Sequence, residues 1–120
     1  TATFTCSVPS EGTENGEATP VVYGHGLLGY SNEAASSQVQ ETAAKNNAVY
    51  CATNWIGMSN EDISYAIEAL SDISKFPAVP DRLQQSLINT LYLGRLMIHV
   101  DGLGNAPEFQ TTSGANMLNT

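Results

Sequence analysis

The run Pro20-Val21-Val22-Tyr23-Gly24-His25-Gly26-Leu27-Leu28-Gly29 places the tightest limit on what this chain can become. Val21, Val22 and Tyr23 favour a strand, and glycines at 24, 26 and 29 admit backbone geometry that side chains would forbid. Ser31 and Asn32 then offer caps for a helix from about Glu33. A strand, a tight glycine loop and a helix start, in that order, aim unpaired backbone N–H groups at one small volume. Such a volume binds negative charge, either a phosphate or a transient oxyanion.

The neighbouring segments supply the frame. Thr1 to Val8 alternates Thr3, Thr5 and Ser7 against Phe4, Cys6 and Val8, a strand pattern with one buried face. Ser10 to Thr19 is polar and glycine-containing, an exposed connection. Between Glu33 and Lys45, Ala34, Ala35, Gln38, Val39, Thr42 and Ala43 follow helical spacing, and their small size suits close packing on a sheet. Ala48 to Thr53 is mostly apolar without alternation, as expected of a strand covered on both faces. Strand, helix, strand predicts a parallel βαβ unit and an α/β class.

Two further helices are expected. One starts near Ser59-Asn60-Glu61-Asp62 with a stripe of Ile63, Ala66, Ile67 and Leu70. The other is capped by Asp81, runs to about Val100, and has Leu83, Leu87, Ile88, Leu91 and Leu96 as core positions. The tail from Glu108 to Thr120 is polar and shows no clear element. Cys6 and Cys51 sit in strand-like stretches, so they either bridge neighbouring strands or remain buried thiols.

Composition restricts the partners. At 42% hydrophobic residues, 120 residues suffice for one core, and no apolar run is long enough to span a membrane. Four basic against twelve acidic residues, net −8, argue against a nucleic-acid surface. Small neutral molecules or other proteins fit better. Abundant Ser, Thr and Asn with few lysines lean toward an exported protein.

Gly24-x-Gly26-x-x-Gly29 fits the dinucleotide-binding pattern, but the next strand ends in Thr53-Asn54 where an acid should hold the ribose. An oxyanion loop suits the run better. The N–H of Leu27 is the candidate donor, and the Leu27-Leu28 pair would line an acyl or alcohol pocket. Asn54-Trp55-Ile56-Gly57-Met58 leaves the second parallel strand at the edge where open α/β sheets build sites. Leu28, Tyr30, Trp55 and Met58 are therefore the candidate substrate-lining residues. His25, between two glycines, is read as holding the loop by bonding backbone, and His99 as a helix-end residue beside Asp101. Glu61 and Asp62 are ordinary first-turn acids. No cluster has metal-ligand spacing, and no cofactor is expected.

Tyr23-Gly-His-Gly-Leu-Leu-Gly29 resembles the oxyanion loop of α/β-hydrolase lipases and esterases of the His-Gly-x type. The likeness extends through Thr53-Asn-Trp-Ile-Gly-Met-Ser59, Asp81-Arg-Leu-Gln-Gln85 and Met97-Ile-His-Val-Asp-Gly102 to a group of bacterial, exported hydrolase-like proteins. It implies the N-terminal part of an α/β-hydrolase fold: a mostly parallel sheet with flanking helices, incomplete in this chain. Residues 1–120 would be part of one domain that acts on small neutral carboxylic esters. Gly24, His25, Gly26 and Gly29 would shape the loop, and Leu27 would hold the oxyanion.

The pattern departs from the family at the nucleophile. No stretch reads as a G-x-S-x-G elbow, since Gly57-Met58-Ser59 and Thr112-Ser113-Gly114 lack its glycine frame. The serine, acid and base are expected beyond Thr120, in the C-terminal remainder of the domain, and this chain alone is expected to be inactive. The alternative of another class is a non-catalytic binding module that kept the hydrolase scaffold.

Overall fold

The computed structural model describes residues 2–10 and 17–118. Thr1, the middle of the polar connection (11–16) and the last two tail residues lie outside the described residues. Three strands, β1 (Phe4–Ser7), β2 (Thr19–Val22) and β3 (Ala48–Thr53), form a sheet in the order β1-β3-β2. The helices are α1 (Ser37–Asn46), α2 (Ile63–Ser71) and α3 (Ala78–Ile98), with short 3-10 turns between and after them. The protein is of mixed α/β type. Its sheet is mixed: β3 pairs parallel with β2 and antiparallel with β1.

β3 is central because its sequence can be covered on both sides. Val49 and Cys51 face the main core with Leu93 and Met97 of α3. By strand alternation Ala48 and Ala52, both buried, take the other face, where α1 and the 3-10 turn Ser31–Ala35 pack. Its neighbour β1 is packed unevenly. Phe4 lines a groove with Tyr92, Leu93 and Leu96, while Ser7 lines one with Gln40, Ala43 and Ala44. Cys6 and Val8 pack at the edge of the core while Phe4 remains half-exposed, so Ser7 is more buried than Phe4, contrary to expectation. Cys6 stands directly opposite Cys51 in the antiparallel register, and the two form a disulfide.

The helix starts and faces differ from the sequence reading. The first helix does not run unbroken from Glu33: a 3-10 turn ends at Ala35, extended Ser36 interrupts, and α1 follows, burying only Ala43. α3 begins at Ala78, ahead of Asp81, with Pro80 in its first turn, where a missing N–H is harmless. Its buried positions are Ser86, Leu93 and Met97 rather than the leucine stripe, and Leu93 and Met97 pack in the core with Val49 and Cys51 of β3. Leu87, Ile88 and Leu91 are exposed, Leu91 at 73%, and in α2 Ile63, Ile67 and Leu70 also face outward, Leu70 at 87%. A three-stranded sheet offers too little area to cover these helices' apolar surface, so the wider stripes remain uncovered.

The tail is not an unstructured end. Phe109, Met117 and Leu118 are buried in the main core, and Leu118 makes a parallel bridge to Ala18 beside the start of β2. The Ala18 N–H donates to the Met117 carbonyl at 2.6 Å. Ala18 is itself fully buried, so the polar connection ends one residue before the strand rather than running exposed through Thr19.

The Cys6–Cys51 bridge closes a loop with a sequence separation of 45 residues. Chain-entropy arguments give such a cross-link about 4 kcal/mol through the unfolded state. Urea unfolding in the presence and absence of reductant should show a loss of that order on reduction, and identical midpoints would contradict it.

Candidate functional site

The C-terminal ends of β2 and β3 lead into two segments that run side by side, Tyr23–Asn32 and Asn54–Asp62. The Trp55 N–H donates to His25 Nε2 at 2.8 Å, and His25 Nδ1 lies 2.7 Å from the Gly26 carbonyl. A carbonyl can only accept, so we assign the ring proton to Nδ1 and the lone pair to Nε2. Both nitrogens of this buried imidazole are thus occupied by backbone. His25 holds the loop and has no free lone pair with which to act as a base.

The segments are zipped further along. The Leu28 N–H donates to the Met58 carbonyl at 2.7 Å, and the Asn60 N–H donates to the Gly29 carbonyl at 2.9 Å, forming a parallel bridge between Gly29 and Ser59. Asn54 accepts from the Ser31 N–H at 2.7 Å and donates to Glu61 at 2.7 Å. Asn54 thus clamps the turn at the position where a dinucleotide site needs a ribose acid. Sequence reasoning weighed it only as a missing carboxylate.

The glycines act here by leaving space. None of Gly24, Gly26 and Gly29 has a positive φ, whereas Leu28 does, at 58°. The expectation that these glycines supply forbidden geometry is therefore corrected: the left-handed residue is a leucine, held there by the Met58 carbonyl. A Cβ on Gly29 would overlap the Glu33 carboxylate, and one on Gly24 would come 3.3 Å from the Trp55 ring. A Cβ on Gly26 would meet nothing within 4 Å. Open space lies over the residue preceding Leu27.

Donor accounting singles out one group. Gly26 N–H and Tyr30 N–H are directed to the Glu33 carboxylate at 3.5 and 3.4 Å. The Gly29 N–H donates to the Gly26 carbonyl at 2.9 Å, and Leu28 is bound to Met58. Between Gly26 and Tyr30, only the Leu27 N–H has no partner among the described residues. The Leu27 residue is 76% exposed. Glu33 occupies with negative charge the place where a phosphate would seek the loop's N–H groups, which disfavours a dinucleotide.

The four candidate lining residues do not converge on one cavity. Leu28 and Tyr30 project into solvent, while Trp55 packs on Gly24 and beside His25 at 6.5 Å between ring centroids. The Met58 carbonyl secures Leu28. The Trp55 indole N–H is buried without a partner among the described residues. Apolar grooves of about 380 and 510 Å³ lie along α3 instead, one against β1 and one against β2, and neither is lined by Gly24–Tyr30.

A group that the sequence reading took for an ordinary acid proves to be central. Asp62 is 3% exposed, accepts from Arg82 Nε at 2.6 Å, and accepts from the Ser59 hydroxyl and N–H at 2.6 and 3.0 Å. The Arg82 guanidinium also lies 4.1 Å from the Tyr65 ring centroid. Burial pushes the Asp62 carboxyl up, but the hydrogen bonds from Ser59, Arg82 and the Gly57 backbone outweigh it and hold the group below the ordinary value of 3.8. The signal in the sequence was Ser59-x-x-Asp62, which reads as a helix start; its burial depends on Arg82, twenty residues on.

A carboxyl with a depressed folded value stabilises the fold fully above its unfolded value and loses that contribution as the pH falls through the folded one. The protein should therefore lose stability below about pH 4, where carboxylates begin to protonate. Asp62→Asn should be less stable at pH 7 and should lack that part of the acid decline. Parallel stability profiles for the two proteins in chemical denaturation across pH 2–7 would contradict the assignment.

Comparison with family models, with curated proteins and with solved structures finds no match to this chain.

Proposed function

We propose that this chain forms the oxyanion-binding part of a serine-dependent carboxylic ester hydrolase, with its nucleophile, acid and base outside residues 1–120. The observation that carries the reading is the Leu27 N–H. It is the one unpartnered donor between Gly26 and Tyr30 among the described residues, in a loop tied down on both sides, at the C-terminal edge of a parallel strand pair. Acyl transfer rewards such an arrangement, because a donor fixed in advance need not reorganise as charge grows on the carbonyl oxygen.

The sheet supports the same reading. β2 has a single strand neighbour among the described residues, and the parallel bridge from Leu118 to Ala18 begins on its other side. A further parallel strand along that side would end beside the Gly24–Leu27 loop. A serine on a strand-to-helix turn there would face the Leu27 N–H, and the N–H after that serine would be the second donor. Its substrate would be a small neutral ester, suited to the apolar Leu27-Leu28 tip. The net charge of −8 fits a neutral ligand better than a phosphate-bearing one.

The Cys6–Cys51 disulfide supports an exported protein, since such bridges persist in oxidising compartments. No helix among the described residues is long and apolar enough to cross a membrane.

The donor is backbone, so its test separates N–H from side chain. In the full-length protein Leu27→Pro, which removes the N–H, should lower kcat for p-nitrophenyl butyrate by about 10²–10³-fold. Leu27→Ala keeps the donor and should retain most of the rate. Equal losses in both variants, or a Leu27→Pro protein as active as the parent, would defeat the proposal.

A further inference from the structure

We propose that buried Asp62, gripped between Arg82 and Ser59, is the positioning residue that sets the conformation of the Leu27–Gly29 loop and so presents the Leu27 N–H; its link to catalysis rests on the hydrolase reading above.

The chain of contacts is continuous. Arg82, in the second turn of α3, bonds one oxygen of Asp62, and the other oxygen takes both the hydroxyl and the N–H of Ser59. Ser59 is fully buried and cannot exchange these partners for water. Ser59 is in turn the bridge partner of Gly29, with the Met58 carbonyl and the Asn60 N–H on either side taking the Leu28 N–H and the Gly29 carbonyl. Three residues of one segment therefore serve as a template for two residues of the other.

The template is needed because Leu28 is left-handed at φ 58°. A leucine does not choose this region, and holding it there costs free energy that its surroundings must supply. The Met58 carbonyl contacts Leu28 directly, and Met58 is placed by the turn that Asp62 closes. The turn is also seated on α3, since a Cβ on Gly57, at φ 94°, would lie 2.9 Å from the Leu83 backbone nitrogen. A buried carboxylate paired with a partly exposed guanidinium is costly to remove from water and adds less stability than packed apolar groups would. Their hydrogen bonds are directional, however, and a directional tie suits a loop whose donor must sit within a few tenths of an ångström of its target. Release of Leu28 would turn the peptide plane beside it and move the Leu27 N–H off its line.

The test uses Asp62→Asn and Ser59→Ala in the full-length protein, the second removing only the hydroxyl bond in case the first fails to fold. Amide hydrogen exchange is followed at Leu28 and Asn60, with Val49 and Cys51 in β3 as internal controls, alongside kcat and KM for p-nitrophenyl butyrate. The expected result is exchange at Leu28 and Asn60 accelerated by about tenfold or more beyond any change at the β3 amides, which report the global loss of stability, and kcat lower by about 10–100-fold at unchanged KM. Unchanged exchange at Leu28 and Asn60 would overturn the proposal. Equal acceleration at the β3 amides would also overturn it, reducing Asp62 to general stability, as would faster loop exchange with kcat intact. If the parent protein turns over no ester while the loop amides still respond, the coupling from Asp62 to the loop stands and the hydrolase reading falls.

Discussion

The register of β3 against its two neighbours is the constraint from which the rest follows. Its antiparallel partner is locked by a disulfide at the Cys6–Cys51 pair, and its parallel partner is placed so that β2 and β3 end at the same edge. Because both strands stop there, the segments that leave them run side by side, and backbone groups that would otherwise need water pair with each other. A slip of one residue would turn Val49 and Cys51 away from Leu93 and Met97 and would separate Trp55 from His25. The core and the loop geometry are thus consequences of one pairing.

That edge is rigid by design of its hydrogen bonds more than by burial. Leu27, Leu28 and Tyr30 are exposed, yet the backbone beneath them is tied by His25, Asn54, Glu33 and the Met58–Asn60 stretch. Between Gly26 and Tyr30 every backbone donor except the Leu27 N–H is engaged among the described residues. An exposed loop whose donors are mostly held by protein partners differs from a loop that is merely flexible.

Parts of this were legible in the sequence for definite physical reasons. Ala48–Thr53 could be read to its limits because a doubly covered strand must be continuously apolar. The site edge could be read because glycines crowd between a strand and a polar turn. The helix faces could not. Periodicity marks which residues are apolar together, but in α2 and α3 the apolar girdle exceeds what three strands can cover, and one of the three buried positions of α3 is Ser86, a residue no apolar pattern marks. The buried tail escaped because Phe109 and the Met117-Leu118 pair are isolated among polar residues with no period to reveal them. Asp62 escaped because its burial needs a partner from another helix, and local pattern carries no such information. The left-handed residue was assigned to glycine by rule, whereas tertiary hydrogen bonding imposed it on Leu28.

The central claim is that one backbone donor, the Leu27 N–H, is held ready for developing negative charge. The most direct measurement is the amide proton of Leu27 by NMR in the full-length protein before and after reaction with an alkyl phosphonate, whose tetrahedral oxygen mimics the acyl-transfer intermediate. The Leu27 amide proton should move strongly downfield and become protected from exchange, while the Leu28 amide, already bound to Met58, should change little. A phosphonate adduct that leaves the Leu27 amide shift and exchange unaltered would contradict the account.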